Sequence, residues 1–215
     1  MKTDHLCRRL LFLAGGLFVM AFGVAFSIKA GLGTSPISSL PYVLSLFTPL
    51  TVGTATIAMH CTLVLLQILL LRRNYEWVQL AQLPVAILFG CLTDFAVWAL
   101  GPLTAQNYPA AWALCLVGVL LVGIGVSFEV NAGLVTLAGE GMVLAVCKVF
   151  RLPFAKTKVG FDCTLVIAAS VLSFLFLGRL EGVREGTAAA ALLVGVVAKQ
   201  VTRLVFQRKN SPSQP

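Results

Sequence analysis

Apolar residues run almost unbroken along most of this chain, and polar residues gather in the gaps. Stretches at about 10–30, 54–71, 79–100, 111–130, 160–178 and 186–206 each approach the ~20 residues that cross a bilayer core of ~30 Å. They predict six membrane-spanning helices. Two shorter apolar stretches, 37–48 and 138–150, carry polar positions at helical spacing. Ser38, Tyr42 and Ser45 share one face of the first. Glu140, Cys147, Lys148 and Arg151 share one face of the second. These predict short re-entrant or interfacial amphipathic helices.

The pattern occurs twice. Phe26, Ala30-Gly31-Leu32 and His60-Cys61-Thr62-Leu63-Val64 are echoed by Phe128, Ala132-Gly133-Leu134 and Asp162-Cys163-Thr164-Leu165-Val166. Gly16, Gly23, Val24 and Thr34 are matched by Gly118, Gly125, Val126 and Thr136. Every pair lies about a hundred residues apart without a gap, the mark of an internally duplicated membrane protein. A single membrane domain over 1–215 is expected, with a first repeat at 10–100 and a second at 111–206. The uncharged loop Gly101–Ala110 separates them.

Whether the halves are parallel or inverted depends on the number of crossings. Three spans per half invert the second copy, and four keep it parallel. Basic residues decide, because Lys and Arg collect on the cytoplasmic side. With six spans, Lys2, Arg8, Arg9, Arg72, Arg73, Lys148, Arg151, Lys156, Lys158, Arg203, Arg208 and Lys209 fall inside, and Lys29, Arg179 and Arg184 outside. With eight, Arg72 and Arg73 fall outside. The six-span arrangement is therefore expected: all-α, two inverted three-helix repeats, each with an extra short helix. Both termini face the cytoplasm of a bacterial inner membrane. The run from Leu10 to Ala30 is read as an uncleaved anchor, since it pairs with an internal segment. Ser211 to Pro215 reads as a disordered tail.

Composition agrees with this picture: 59% of residues are hydrophobic and 11% charged, where a globular domain has about a quarter charged. The net charge of +8 does not point to nucleic acid, because the basic residues flank apolar runs and form no basic face with interleaved aromatics. The expected partners are the lipid bilayer and a small solute. The six cysteines include no C-x-x-C pair, and the two histidines, His5 and His60, exclude a His-rich metal site. No enzyme motif is present, and neither catalysis nor a cofactor is expected.

A few polar residues stand out against this background. His60 and Asp162 are repeat partners within spans, and ionisable groups at such depth usually face a bundle interior or cavity. They suit a proton relay or a cation or polar-solute site; Asp162 also reads as a helix-end group. Ser38 and Glu140 are repeat partners on the short helices. These helices either line a cavity together with Lys148 or lie flat with their polar faces to water. Glu129 and Asp94 read as groups at helix ends. Thr34, before Ser35 and Pro36, belongs to a glycine-rich helix start that caps the following turn or attracts an anion. Arg184 and Glu185 open the last span, where Glu suits the helix dipole. Lys158 and Asp162 have the spacing of an i,i+4 ion pair.

Gly31-Leu32-Gly33-Thr34-Ser35-Pro36, Gly139-Glu140-Gly141, Lys158 with Asp162, and Arg184-Glu185-Gly186-Thr187 together resemble the YczE/YitT group of bacterial multi-pass membrane proteins. The resemblance extends over about 10–206 and implies a multi-pass membrane fold, without a substrate or site to carry over. One departure is Leu80-Ala81-Gln82, where the group's pattern implies a Gly-Thr like Gly186-Thr187. Two functions fit these readings. One is a secondary transporter or permease for a small polar or charged solute. The other is a non-transporting accessory or regulatory protein that acts through a partner in the bilayer.

Overall fold

A computed structural model describes residues 2–206. Ser211–Pro215, Arg208 and Lys209, and the side chains of Lys2 and His5, lie outside what is described. Among the described residues the chain forms eight α-helices: α1 (Lys2–Ala30), α2 (Pro36–Phe47), α3 (Val52–Leu71), α4 (Gln82–Ala99), α5 (Tyr108–Ala132), α6 (Ala138–Phe150), α7 (Phe154–Leu177) and α8 (Glu185–Val201). A π-helical turn, Thr202–Phe206, continues α8. Six helical segments are long and apolar enough to cross a membrane, matching the six expected spans. The fifth span starts at Phe154, earlier than its hydropathy indicates, because Lys156 and Lys158 lower the apolarity of its first turns without ending the helix.

The largest interface joins α1 to α5, and glycines set its closeness. A Cβ at Gly16 would fall 2.9 Å from the Gly125 carbonyl oxygen, and one at Gly23 would fall 2.8 Å from that of Gly118. Backbones at such range admit no side chain, as in close helix pairs within lipid. Gly16 and Gly118 are repeat partners, as are Gly23 and Gly125, so exchanging the halves maps the contact onto itself. Numbering rises along α1 as it falls along α5, so these two equivalent helices run antiparallel. Arg9 extends the contact: its Nε donates to the Ala132 carbonyl at 2.7 Å and a terminal nitrogen donates to that of Gly133, capping the end of α5.

Other interfaces also come in matched pairs. The contact of α2 with α7 mirrors that of α6 with α3, and α1 with α4 mirrors α5 with α8. The two short helices meet near their starts, where Ile37 packs against its repeat partner Gly139; a Cβ there would lie 3.5 Å from Ile37 Cγ1. Ser39 and Val43 on α2, and Ala138 and Val143 on α6, are wholly or almost wholly buried. The short helices are thus wedged between long ones rather than laid flat on the surface.

One pairing has no equal counterpart. α3 packs closely on α4, with Gly53 and Gly90 at the crossing: a Cβ at Gly90 would sit 2.7 Å from the Gly53 carbonyl oxygen. Asp94 locks the same place, accepting from the Gly53 N–H at 2.7 Å and the Thr51 hydroxyl at 2.6 Å. Asp94 therefore caps α3. Lower down, Gln67 donates to Gln82 at 3.2 Å and to the Ala138 carbonyl at 3.1 Å, tying α3 to α4 and α6. The corresponding pair, α7 and α8, has no comparable interface. Ala155 and Leu192 stand where Gly53 and Gly90 stand in the first half, and Leu192 is 74% exposed.

Candidate functional site

A central cavity of about 340 Å³ lies between the long helices and the starts of α2 and α6. That volume is within the usual range of small-molecule sites. Its walls are mainly apolar, including Met20 and Val24 from α1, Met59 from α3, Phe89 from α4 and Val122 from α5. Polar side chains are fewer and come from several elements: the hydroxyls of Ser35, Ser38 and Thr56, with His60, Glu129, Glu140, Lys158 and Asp162.

His60 is almost wholly buried, its ring edge-on to Phe89 at 6.4 Å between centroids. Its Nδ1 has no hydrogen-bond partner among the described residues. A buried polar atom left unpaired carries a desolvation cost of ~1–3 kcal/mol unless something else satisfies it. Asp162, one α7 turn beyond Lys158, accepts from the Lys158 ammonium at 2.6 Å, the i,i+4 pair its spacing allowed. Ser38 receives the Ser35 hydroxyl at 3.0 Å, so Ser35 bonds along α2 instead of capping its free N–H groups. Glu140 stands in the first turn of α6 and forms no ion pair within 4.0 Å among the described residues.

Four of the eight sequence candidates, Ser38, His60, Glu140 and Asp162, thus meet at one cavity. The other four stand elsewhere. Thr34 is buried, with an unpaired hydroxyl, where its backbone N–H donates to the Gly182 carbonyl at 3.1 Å. Arg184 and Glu185 hold the start of α8: Arg184 donates to the Gly31 carbonyl at 3.2 Å, and Tyr108 donates to Glu185 at 3.4 Å. Thr187 accepts from the Arg184 N–H at 3.3 Å, closing a local cap at the start of α8. Lys148 is half exposed and pairs with Glu76 at 3.7 Å.

Lys148 and Glu76 belong to a second, more open cavity of about 310 Å³ at the end of the bundle that carries Arg9 and Arg72. Glu129 lines both cavities. It is only 2% exposed and accepts the Leu137 N–H at 2.6 Å, bridging the last turn of α5 to the start of α6. A helix-end group is expected near solvent. Glu129 is buried instead, where the chain turns at Gly133 (φ 59°) and brings the Leu137 N–H back to its carboxylate. Hydropathy along one helix carries no sign of that return.

The glycines of Gly139-Glu140-Gly141 also have physical reasons. Gly139 accommodates Ile37, and a Cβ at Gly141 would fall 2.6 Å from Gln82 Nε2. Glu140 is thus presented between two glycines against which side chains of neighbouring helices pack. A family model described as a family of unknown function (DUF6198) matches residues 7–203. The chain belongs to this family. It is 28% identical over 199 residues to the uncharacterized membrane protein YczE of Bacillus subtilis, an alignment covering 91% of this chain and 86% of that one. An uncharacterized protein of Haemophilus influenzae is 24% identical over 196 residues, covering 91% and 84%. No solved structure matches significantly. The resemblance to the YczE group read from the motifs therefore holds along nearly the whole chain, and the protein is a membrane protein.

Proposed function

We propose that this protein is a secondary transporter or permease for a small polar or charged solute, built from two inverted halves. The observation that carries the reading is Glu129. One buried carboxylate forms part of the wall of both the central cavity and the open cavity at one end. A side chain so placed separates a solute site from a solvent path, and release of its bond to the Leu137 N–H would let it swing to join or part them. The antiparallel α1–α5 crossing and the matched interfaces support inversion, the usual basis of alternating access.

Orientation follows from charge. Arg9, Arg72, Arg73 and Lys148 share one end of the bundle, while Lys29 and Arg184 bond to groups at the other. The basic-rich end faces the cytoplasm, in the inner membrane of a bacterium. Accessibility reporters at Arg73, Tyr108, Arg151 and Arg184 test this; the expected result is inside, outside, inside, outside. An outside signal at Arg73 would remove the inverted arrangement. Transport is tested by flux across vesicles holding the purified protein. His60→Ala and Glu140→Gln should each reduce flux at least tenfold, and unchanged flux in both counts against this cavity as the solute site.

The accessory reading keeps one observation in its favour. α7 and α8 are the least buried of the spans, at 17% and 6% of their most apolar windows, leaving a broad apolar face for another membrane protein. A stoichiometric membrane partner recovered in a pull-down, with no flux of any solute, would favour it.

A further inference from the structure

The central cavity is not closed on all sides. Phe154 and Val159 on α7, and Ala191 and Gly195 on α8, line it and are also exposed on the outer surface of the bundle. The opening falls where α7 and α8 lack the glycine-mediated crossing that seals α3 against α4. A side chain on Gly195, at the rim of the opening, would meet nothing within 4 Å and so fits without displacing a neighbour. In a membrane this mouth faces lipid, and a solute using it must be soluble in the bilayer.

Charge selects among such solutes. The cavity's charged side chains are three carboxylates, Glu129, Glu140 and Asp162, against one ammonium, Lys158. Lys158 is already paired with Asp162, and Glu129 accepts from a backbone N–H, which leaves Glu140 without an ion-pair partner among the described residues. The positive end of α6, which would otherwise attract an anion, is occupied by Glu129 and Glu140. Two further groups suit a bound ligand: an unpaired imidazole nitrogen accommodates a polar group of either sign, and an aromatic ring favours a cation. The buried His60 Nδ1 lacks a partner, and the Phe89 ring lines the wall, where an aromatic face attracts a desolvated cation.

We propose that the cavity binds a hydrophobic monovalent cation, an ammonium bearing apolar groups, which enters from the bilayer between α7 and α8 and pairs with Glu140. This rests on the transport reading for its purpose but not for its test. The purified full chain in uncharged detergent is titrated calorimetrically with benzyltrimethylammonium and with benzylsulfonate, similar in shape and opposite in charge. The cation should bind saturably, and the sulfonate at least tenfold more weakly. Glu140→Gln should weaken cation binding at least tenfold, while Glu140→Asp retains most of it; a monodisperse elution profile checks that each variant is folded. Gly195→Phe should slow association severalfold by filling the mouth without displacing a neighbour.

Equal or tighter binding of the sulfonate, no binding of either compound, or unchanged affinity in a folded Glu140→Gln would overturn the proposal. Unchanged association in Gly195→Phe would overturn the lateral route. Cation binding without flux would leave the cavity assignment standing and remove the transport reading. Flux of another solute that the ammonium does not inhibit would do the reverse.

Discussion

The α3–α4 pair and the α7–α8 pair share one sequence pattern, yet one is sealed and the other is open. In the first, Gly53 and Gly90 bring two backbones into contact, Asp94 caps the joint, and Gln67 bonds to Gln82. In the second, the same places hold Ala155, Leu192, Val196, Ala169 and Arg184, none of which supplies a matching contact. Two glycines, an aspartate and two glutamines thus separate a closed wall from a mouth. In a bilayer, helices gain little from hiding apolar surface, so close approach and hydrogen bonding decide which pairs adhere.

The largest effect is expected at the α1–α5 crossing on which both halves depend. Gly23→Leu should abolish recovery of monodisperse protein from detergent, because its Cβ would already lie 2.7 Å from the Val122 nitrogen. Normal recovery would show that this crossing is not what holds the halves together. Next comes the sealed pair against the open one. Gly53→Leu should lower unfolding free energy by at least ~1–3 kcal/mol, the usual cost of overpacking. Ala155→Leu, at the exposed equivalent position, should stay within ~0.5 kcal/mol of wild type. Equal losses in denaturant titrations of the two variants would erase the distinction between the pairs.

A smaller effect is expected at the glutamines. Gln67→Leu removes the donor to both Gln82 and the Ala138 carbonyl and should cost ~1–3 kcal/mol. Adding Gln82→Leu should restore part of that loss, since the double variant leaves fewer buried polar groups unpaired. A double variant as unstable as the sum of the two singles would argue against a shared bond. The smallest stability effect belongs to Lys158→Ala. Its i,i+4 pair with Asp162 is partly exposed and should contribute only ~0.2–0.5 kcal/mol. A loss above ~2 kcal/mol would mean that Lys158 is a structural strut rather than a charge of the cavity wall.

Much of the site is legible in the sequence because the chain repeats. His60 with Asp162, and Ser38 with Glu140, stand out as matched polar positions in apolar surroundings, and all four line one cavity. Glu129 is legible only as a charged residue near a helix end, since its partner, the Leu137 N–H, lies eight residues on and beyond a turn. Arg184, Glu185 and Thr34 look similar to cavity residues in sequence. They instead hold together the end of the bundle where Gly31 and Gly182 lie.

Hydropathy and residue spacing along the chain are enough to give the six spans, the internal repeat, the two short helices and the local Lys158–Asp162 pair within one helix. These depend on hydropathy, spacing and glycine content, which act within a segment. Which helices touch, the insertion of the short helices between the long ones, and the separation of α7 from α8 emerge only when the chain packs. Those outcomes depend on whether backbones far apart in the chain can approach. Two glycines on different helices express that property only when folding brings them face to face.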